Sequence, residues 1–520
     1  MVAPGYEGPY LLGIDFGTES CRAAIFDLRG NPIGFAGTPY KTNFPAPGRA
    51  EQSPTDWWEA LQASVHRVFD KTGIPARHVA GISYDATTMT VVAMDRDGNA
   101  LRDAIMWMDV RATRQAERAN KIDHWAKLYN GGGTMPATAE WYTYKAAWLK
   151  ENEPEIYKKA YRLVDAPDWL TYRLTGEWTV NQNTASIRAY YNSDKGGWPV
   201  DFYEQLGVGD VFEKLPQQVS ALGDPIGGLS VKAASDLGLT PGIPVIQGGG
   251  DAWHGQIGLG AVQPGSLAII TGSSQVMTGQ SAEPIYGKGF MGAYTDAVIS
   301  GQYTVEGSSV SSGSVLKWFK DGFARDVVAA TERVGLNAYE VLDKACANIP
   351  PGSDGVIVNE YFQGNRTPYT DSRARGMIWG LSLSHTPEHL YHAILESVAY
   401  DTAHNLKVMQ EGGFTPEKLV YCGGATKSKV WMQMYADVTG IPATLTQVGD
   451  AVVLGSCMLA AVGAGLYQSL PDAARNMVHE ADVIEPDQEK HEEYQFFLRQ
   501  YMDAWPQMAE LTHKSVDHIS

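Results

Sequence analysis

Short apolar runs alternate with polar turns at the beginning of the chain. Residues 11–14 are apolar and lead into Asp15, a Gly-Thr-x-Ser turn follows, and residues 23–26 are apolar again. Apolar runs of this length between turn residues are typical of strands, so the pattern predicts a hairpin and a third strand that ends near residue 37. The hairpin turn would present backbone N–H groups, two hydroxyls and one carboxylate at a single point.

A partial repeat of this pattern occurs about 250 residues later. Residues 266–270 form an apolar run that enters a Thr-Gly-Ser turn, and the apolar run 418–422 enters a Gly-Gly-Ala turn. Two related hairpins in two halves of the chain predict two similar domains that close on one nucleotide. A chance set of three turns is the alternative.

The remaining pattern is mostly helical. Residues 80–84 predict one more strand, which ends at Asp85, and the Trp-rich segment 100–245 predicts a helical insertion with an aromatic core. Apolar residues at helical spacing predict helices at 54–68, 386–410, 428–440 and 452–464, and a charged amphipathic helix over 486–510.

Length and composition bound the class of protein. A chain of 520 residues predicts two domains, and we place the boundary near residue 258, which gives domains of 1–258 and 259–520. The net charge of −18 argues against nucleic acid as a partner. Four scattered cysteines without CxxC spacing predict free thiols in a reducing compartment, and no apolar run reaches 18 residues. We therefore expect a cytoplasmic protein without a membrane partner.

The turn after Asp15 suits a nucleotide. Backbone N–H groups and hydroxyls bind phosphate oxygens, and a neighbouring carboxylate suits the Mg²⁺ that accompanies a nucleotide, although an ordinary β-turn is the alternative. The Thr271 turn has no P-loop lysine, which excludes a Walker-type ATPase, and no GxGxxG follows the first strand, which argues against a Rossmann dehydrogenase.

Three acids are candidates for chemistry. Asp251 follows three glycines at the predicted start of a helix, where it could accept the proton of an alcohol during phosphoryl transfer, or simply cap the helix. Asp85 lies at the carboxyl end of a strand, where ligands of open α/β sheets bind. Asp109 and Arg111 could together bind vicinal hydroxyls, and a solvent-facing ion pair is the alternative.

With these motifs the chain resembles the FGGY carbohydrate kinases of the actin-like ATPase superfamily, over nearly its whole length. The motifs that carry the resemblance are the turn at 15–20, Gly-Gly-Gly-Asp at 248–251, Thr-Gly-Ser at 271–273, Glu306 and Gly307 with Gly313 and Trp318 as a helix that closes over the nucleotide, 376–381 with His389, Leu390 and 393–396, and Gly-Gly-Ala at 423–425 with Trp431 and Gln433. Glu19 departs from the pattern, because many relatives carry a small residue there.

The resemblance implies an α/β fold of two actin-like (ribonuclease H-like) domains with a nucleotide cleft between them. It implies ATP and Mg²⁺ as cofactors, with Asp15 as the metal ligand and Asp251 as the catalytic base. The implied nucleotide-binding residues are Gly17, Thr18, Ser20, Arg22, Thr271, Gly272, Ser273, Gly313, Gly423, Gly424, Ala425 and Ser428. The implied substrate-binding residues are Asp85, Ala86, Thr87, Trp107, Asp109, Arg111, Trp141, Asp251 and Ala252.

The resemblance also implies the substrate class. The Asp-Ala-Thr at 85–87 is similar to the ribulokinase-type members, so we expect phosphorylation of a terminal hydroxyl of a pentulose, ribulose first. A polyol kinase acting on ribitol, erythritol or a glycerol-like alcohol is the alternative, and a non-catalytic actin-like ATPase switch is a rival from another class. The expected partner is a small sugar or polyol, with a homodimer as a further expectation.

Overall fold

The computed structural model describes residues 8–519. In the first half the strands are β1 (Tyr10–Phe16), β2 (Ser20–Asp27), β3 (Pro32–Pro39), β4 (Glu51–Gln52), β5 (Val79–Ala86), β6 (Val91–Met94), β7 (Ala104–Ile105), β8 (Arg162–Asp165), β9 (Val180–Asn181), β10 (Val219–Ser220), β11 (Pro225–Gly228), β12 (Pro244–Ile246) and β13 (Gly249–Gly250). The helices are α1 (Pro54–Thr72), α2 (Thr113–Asn120), α3 (Tyr142–Asn152), α4 (Pro154–Lys159), α5 (Ala166–Thr175), α6 (Gln182–Ala189), α7 (Val200–Gln205), α8 (Val231–Leu237) and α9 (Asp251–Gly258).

The second half repeats this mixture of strands and helices. Its strands are β14 (Ser266–Thr271), β15 (Gln275–Ser281), β16 (Met291–Thr295), β17 (Tyr303–Ser309), β18 (Ile357–Asn359), β19 (Met377–Trp379), β20 (Lys418–Gly423), β21 (Ala443–Thr446) and β22 (Glu480–Ile484). Its helices are α10 (Gly313–Phe323), α11 (Arg325–Val334), α12 (Ala338–Cys346), α13 (Pro387–Glu411), α14 (Lys429–Thr439), α15 (Ala451–Gly463), α16 (Leu470–Met477) and α17 (Gln488–Ile519).

The two main sheets share one strand order. The first sheet contains the path β3-β2-β1-β5-β12, and the second contains β17-β15-β14-β20-β21. In each sheet the first two pairings are antiparallel and the next two are parallel. The predicted fold of two similar α/β domains is therefore confirmed, and the sequence repeat that we noted corresponds to the hairpins β1–β2 and β14–β15. We call the two sheet-containing parts the first and second lobes.

Strand pairing brings distant residues of the first lobe to one sheet edge. Asp15 of β1 pairs in register with Asp85 of β5, and Gly249 of β13 pairs with the same Asp85 from the other side. In the second lobe Thr271 of β14 pairs with Gly423 of β20. Because these strands are parallel, their carboxyl ends lie together and form the edges on which a ligand would sit.

One helix of the second half packs on the first lobe. α15 lies against β1, β5 and α9, and its Gly455 backbone touches the His254 carbonyl so closely that a Cβ there would overlap it. The predicted boundary near residue 258 coincides with the end of α9, while α15 crosses back over it. The α9–α15 pair therefore joins the two lobes behind the cleft.

The aromatic insertion, the Glu306–Gly307 motif and the cysteines were the subject of local expectations. The Trp-rich insertion does carry an aromatic core, in which Trp141 packs on Tyr190 with ring centroids 5.0 Å apart. Glu306 and Gly307 lie on β17 and not on a helix, because they pair with Thr278 and Met277 of β15; the helix that follows begins at Gly313. All four cysteines are free and buried. Across residues 8–519, no helix is long and apolar enough to cross a membrane.

Candidate active site

Two cavities meet in the cleft between the lobes. The smaller has a volume of about 260 Å³ and the larger about 610 Å³, and Gly272 lines both. Of the predicted residues, the smaller cavity is lined by Asp15, Gly17, Thr18, Arg22, Thr87, Trp107, Asp251 and Ala252. The larger is lined by Thr271, Ser273, Gly313, Gly424, Ala425 and Ser428.

The first turn presents polar groups to the smaller cavity. The Gly17 N–H donates to the Ser20 carbonyl at 3.1 Å, which closes the turn and gives Ser20 a structural task. The Trp107 indole N–H donates to Thr18 Oγ1 at 3.1 Å, and Gln52 donates to the Thr18 carbonyl at 2.7 Å. Because Thr18 Oγ1 already accepts a bond, its own hydroxyl proton is available to an acceptor in the cavity.

Asp15 is the buried acid at the end of β1. It is 0% exposed and forms an ion pair with Arg22, whose guanidinium also donates to Asp450 Oδ2 at 2.7 Å. Burial raises the pKa of Asp15 above its ordinary value, and the Arg22 charge limits that rise. Arg22 therefore holds two carboxylates, one from each half of the chain, at the wall of the smaller cavity.

Asp15 fits a divalent cation. Within the described residues its Oδ1 atom is buried without a hydrogen-bond partner, and the carboxylate lines the cavity. Mg²⁺ is usually held by one or two carboxylates together with phosphate oxygens and water, so a full cage of protein ligands is not needed. No group of three or more His, Cys, Asp or Glu that could hold a metal occurs in residues 8–519.

The second turn is built into the floor of the larger cavity. The Gly272 N–H donates to the Ser274 carbonyl at 2.8 Å, and the Gly272 carbonyl accepts from Gly313 N–H at 3.0 Å, which joins the turn to the beginning of α10. Thr271 Oγ1 donates to the Cys422 carbonyl at 2.7 Å and accepts from Ala425 N–H at 3.1 Å. The Thr271 hydroxyl thus joins β14 to the Gly-Gly-Ala turn, a structural contact that we did not expect.

The Gly-Gly-Ala turn needs its first glycine. Gly423 has φ of 94°, and a Cβ there would overlap the Thr271 carbonyl. Ser428 caps α14 by accepting from Trp431 N–H at 3.1 Å. The remaining walls of the larger cavity come from α10, α12 and α13, with Leu316, Lys317, Asn337, Tyr339, Glu340, Asp343 and Tyr391. A cavity of this size with a glycine turn at one end fits a nucleoside that continues into phosphates at the Gly272 turn.

Asp251 is the first residue of α9 and faces the smaller cavity. Its Oδ1 accepts from Ala252 N–H at 2.7 Å. Burial and the nearby charge of Asp15 raise the pKa of Asp251 to about 7. A carboxylate with this pKa can accept a proton near neutral pH and release it again, which is what general base catalysis requires.

Asp85 lies below the cavity wall and not on it. The side chain is 0% exposed, and its Oδ2 accepts from Ser456 Oγ of α15 at 2.7 Å. Ser456 in turn contacts His254 Nδ1 at 2.8 Å, and His254 Nε2 accepts from Gly249 N–H at 3.0 Å. Burial lowers the pKa of His254 to about 3, so the ring is neutral and its proton lies on Nδ1. We expected Asp85 to contact the sugar, but its side chain faces α15 and α9 instead.

Four other predicted sugar contacts also lie outside the smaller cavity. Asp109 is 0% exposed and accepts from Ala50 N–H at 2.7 Å and from Arg111, which also pairs with Glu51 at 2.7 Å. Asp109 and Arg111 thus neutralise each other inside the fold. Ala86 lies on the opposite side of β5, toward Trp57 and Trp169. Trp141 borders a small side pocket that shares Arg188 with the cavity.

A charged pair on the cavity wall, Arg188 and Glu306, was not predicted from the sequence. Arg188, at the end of α6, donates to both carboxylate oxygens of Glu306 at 2.7 and 2.9 Å, and the side chains are 8% and 2% exposed. Tyr294 also contacts Arg188, at 3.0 Å. The guanidinium lies over the rings of Trp141 and Trp253, 5.4 and 5.3 Å from their centroids.

The pair offers polar atoms to a ligand. Both side chains line the smaller cavity, and Arg188 Nε is buried without a partner among the described residues. Glu306 was noted in the sequence only as part of the motif expected to close over the nucleotide, not as a partner of Arg188. No local signal marks Arg188, because its partner is 118 residues away in the sequence.

Comparison with known proteins agrees with this geometry. The N-terminal domain of the FGGY family of carbohydrate kinases matches residues 10–258, and the C-terminal domain of that family matches residues 267–464. An FGGY carbohydrate kinase domain-containing protein of Xenopus laevis is 32% identical, and the match covers 95% of this chain and 95% of that protein.

Two further relatives are named after the sugar that they phosphorylate. A ribulokinase of Geobacillus thermodenitrificans is 31% identical over 502 residues, covering 90% of this chain and 89% of that protein. The crystal structure of a xylulose kinase from Rhodospirillum rubrum matches with a TM-score of 0.86 at 27% identity, covering 97% of this chain and all of that chain. The protein belongs to the FGGY family of carbohydrate kinases and is an ATP-dependent sugar kinase.

Proposed function

We propose that the enzyme transfers the γ-phosphoryl group of ATP to a terminal hydroxyl of a pentulose, with ribulose as the first candidate. One observation carries the proposal: Asp251 and the phosphate turn at Gly272 line the same cavity. An alcohol bound in that cavity meets a proton acceptor beside a phosphate site. The resemblance of Asp-Ala-Thr at 85–87, of which Thr87 lines the cavity, to ribulokinase-type members and the ribulokinase relative favour ribulose among the pentuloses.

Asp251 is the proton acceptor in this mechanism. Its pKa of about 7, raised by burial and by Asp15, allows it to take the hydroxyl proton as the oxygen attacks phosphorus. Helix α9 fixes the carboxylate at its first residue, and the hydrogen bond from Ala252 N–H leaves the second oxygen free to face the substrate. After transfer the proton leaves Asp251 to solvent when the cleft opens.

The two turns hold the phosphates. The Thr18 hydroxyl and the backbone N–H groups near Gly17 and Ser273 are the donors that we assign to phosphate oxygens. Mg²⁺, bound with the nucleotide, would neutralise phosphate charge, and Asp15 is the residue that would hold it. Closure of the lobes would exclude water from the cavity and limit hydrolysis of ATP.

The wall opposite the turns would bind the sugar. Arg188 and Glu306 offer a donor and an acceptor side by side, and Thr87 and Thr88 offer hydroxyls in the same cavity. Neighbouring hydroxyls of a sugar can use a donor and an acceptor at once, whereas an apolar ligand could use neither. Trp107 and Trp253 supply apolar faces to the same cavity.

Replacement of the proposed base tests the mechanism. Asp251→Asn keeps the shape and removes the proton acceptor, so kcat for ribulose should fall by about 10²–10⁴. ATP affinity, measured by titration without sugar, should stay within a few-fold. Near-normal kcat in a folded Asn variant would exclude Asp251 as the base.

A substrate screen tests the sugar. Release of ADP should be measured with ribulose, xylulose, ribitol, erythritol and glycerol at equal concentrations, with ATP and Mg²⁺ present. The highest kcat/KM with ribulose supports the proposal, and the highest value with a polyol supports the polyol alternative. ATP hydrolysis that no sugar or polyol stimulates would support the non-catalytic switch, which needs no polar sugar wall such as Arg188–Glu306.

A further inference from the structure

Lys145 is a buried cation that the mechanism above does not use. It lies on α3 and is 0% exposed. Its Nζ donates to three backbone carbonyls, those of Met89 at 2.8 Å, Met106 at 2.6 Å and Trp107 at 3.1 Å. All three protons of the ammonium group are therefore used on the backbone of two separate segments.

Both of these segments reach the smaller cavity. Met89 follows Thr87 and Thr88, and all three residues line it. Trp107 lines the same cavity, and its indole N–H donates to Thr18 Oγ1 in the first phosphate turn. Neither segment is part of the main sheet, so their positions depend on contacts of this kind.

Met89 adds an independent sign that this backbone is held in place. Its φ is 60°, in the left-handed region that side chains other than glycine rarely adopt. The Met89 N–H donates to Asp165 Oδ2 at 3.0 Å, while the Met89 carbonyl accepts from Lys145. A strained conformation persists where the surroundings fix it from several sides, and such residues concentrate at functional sites.

We propose that Lys145 is a positioning residue for the sugar cavity, which fixes the Thr87–Met89 segment and Trp107 relative to each other. This rests on the proposed function, because it assumes that the smaller cavity binds the sugar. Lys145 does not line the cavity and touches no substrate; it acts through the two segments.

The direct partners of Lys145 are backbone carbonyls, and the charged side chains around it act only from a distance. Burial lowers the pKa of Lys145 to about 7, and the negative charges of Asp109, Glu140 and Asp165 act in the opposite direction, with Arg111 opposing them. Asp109, the first of these carboxylates, is paired with Arg111 and not with Lys145. The three carbonyls are its direct partners, so its loss removes hydrogen bonds to the backbone of the cavity wall rather than a charge pair.

The test compares Lys145→Met with Lys150→Met. Both lysines lie on α3, but Lys150 is 37% exposed and pairs with Asp210 at 2.9 Å, which makes it a matched control. Hydrogen–deuterium exchange should speed up by about tenfold or more in peptides that cover 87–90 and 106–109 of Lys145→Met. Exchange of β14 in the second lobe and of the whole Lys150→Met protein should match the wild type.

Kinetics with ribulose give a second readout. We expect kcat/KM for ribulose to fall by about tenfold or more in Lys145→Met, because a displacement of the wall by about 1 Å can cost as much as 10²-fold in rate. KM for ATP should stay within about twofold, because the larger cavity is built by the second lobe. A purely structural lysine would lower stability without this division between the two substrates.

The outcomes are separable. If the two peptides of Lys145→Met exchange as in the wild type, the inference is overturned, whatever the enzyme phosphorylates. If the wild type shows no activity with ribulose, the proposed substrate fails while the exchange data still decide the inference. Lys145→Gln, which is neutral and keeps two donors, should give intermediate exchange; it replaces Lys145→Met in the test if that variant does not fold.

Discussion

The buried pair Arg188–Glu306 should serve both stability and sugar binding, and variants can separate the two. The side chains are 8% and 2% exposed and come from different lobes. Removal of one partner leaves a buried charge, which costs about 3–5 kcal/mol. With about 2–4 °C per kcal/mol for units of about 250 residues, Arg188→Met and Glu306→Gln should each lower Tm by about 6–20 °C.

The double variant is the informative one. Arg188→Met with Glu306→Leu replaces the pair by apolar side chains, and replacements of this kind are often neutral or stabilising. We therefore expect Tm to return close to the wild-type value. Ribulose binding should not return, because the donor and acceptor for the hydroxyls are both missing. Hydroxyls left unpaired in a buried site cost about 1–3 kcal/mol, or about 5- to 150-fold in kcat/KM.

The assays are thermal unfolding followed by tryptophan fluorescence, and ADP release with ribulose as acceptor. Arg373→Met is the control, because the Arg373–Asp517 pair is 50% and 59% exposed and should change stability by less than about 1 kcal/mol. A double variant with both wild-type Tm and wild-type kcat/KM would show that the pair is structural only. Single variants that shift Tm no more than the control would refute the argument from burial.

Two further predictions concern the other buried acids. Asp15→Ala should raise the Mg²⁺ concentration for half-maximal activity and lower kcat; an unchanged Mg²⁺ titration would contradict the role of Asp15. Burial raises the pKa of Asp401 to about 7 and that of neighbouring Glu360 well above its usual range. Because the folded state retains protons that the unfolded state loses, the free energy of unfolding should fall as pH rises from 5 to 8. Asp401→Asn should reduce this fall by about 2–3 kcal/mol, measured by urea titration at each pH. The same dependence of the free energy of unfolding on pH in the variant and the wild type would contradict the prediction.

Most of the fold could be predicted from local patterns in the sequence. The apolar runs before Asp15 and Thr271 predicted both hairpins, and the glycines before Asp251 predicted the beginning of α9. These features are visible because strands, turns and helix starts depend on residues that are neighbours in the sequence. The same reasoning predicted the two turns to which we assign phosphate binding, since a turn is complete within a few residues.

Contacts between distant segments could not be predicted from the sequence. Lys145 holds carbonyls 38 to 56 residues away, and Ser456 contacts Asp85 across 371 residues. Such pairs depend on how sheets and helices pack, and no local pattern in a single sequence encodes that packing. Asp109 and Arg111 show the converse case, because their spacing suggested a ligand site while the fold uses them to neutralise each other.

Asp85 shows both what the sequence could predict and what it could not. The sequence drew attention to it because it ends a predicted strand, and the structure pairs it in register with Asp15. Its side chain, however, accepts from Ser456, which contacts His254 three residues after Asp251 on the same helix. Asp85 therefore fixes the helix that carries the proposed base, and a change there should disturb the position of Asp251 for every sugar alike. Discrimination between sugars then falls to the groups that line the cavity, Arg188 and Glu306 among them.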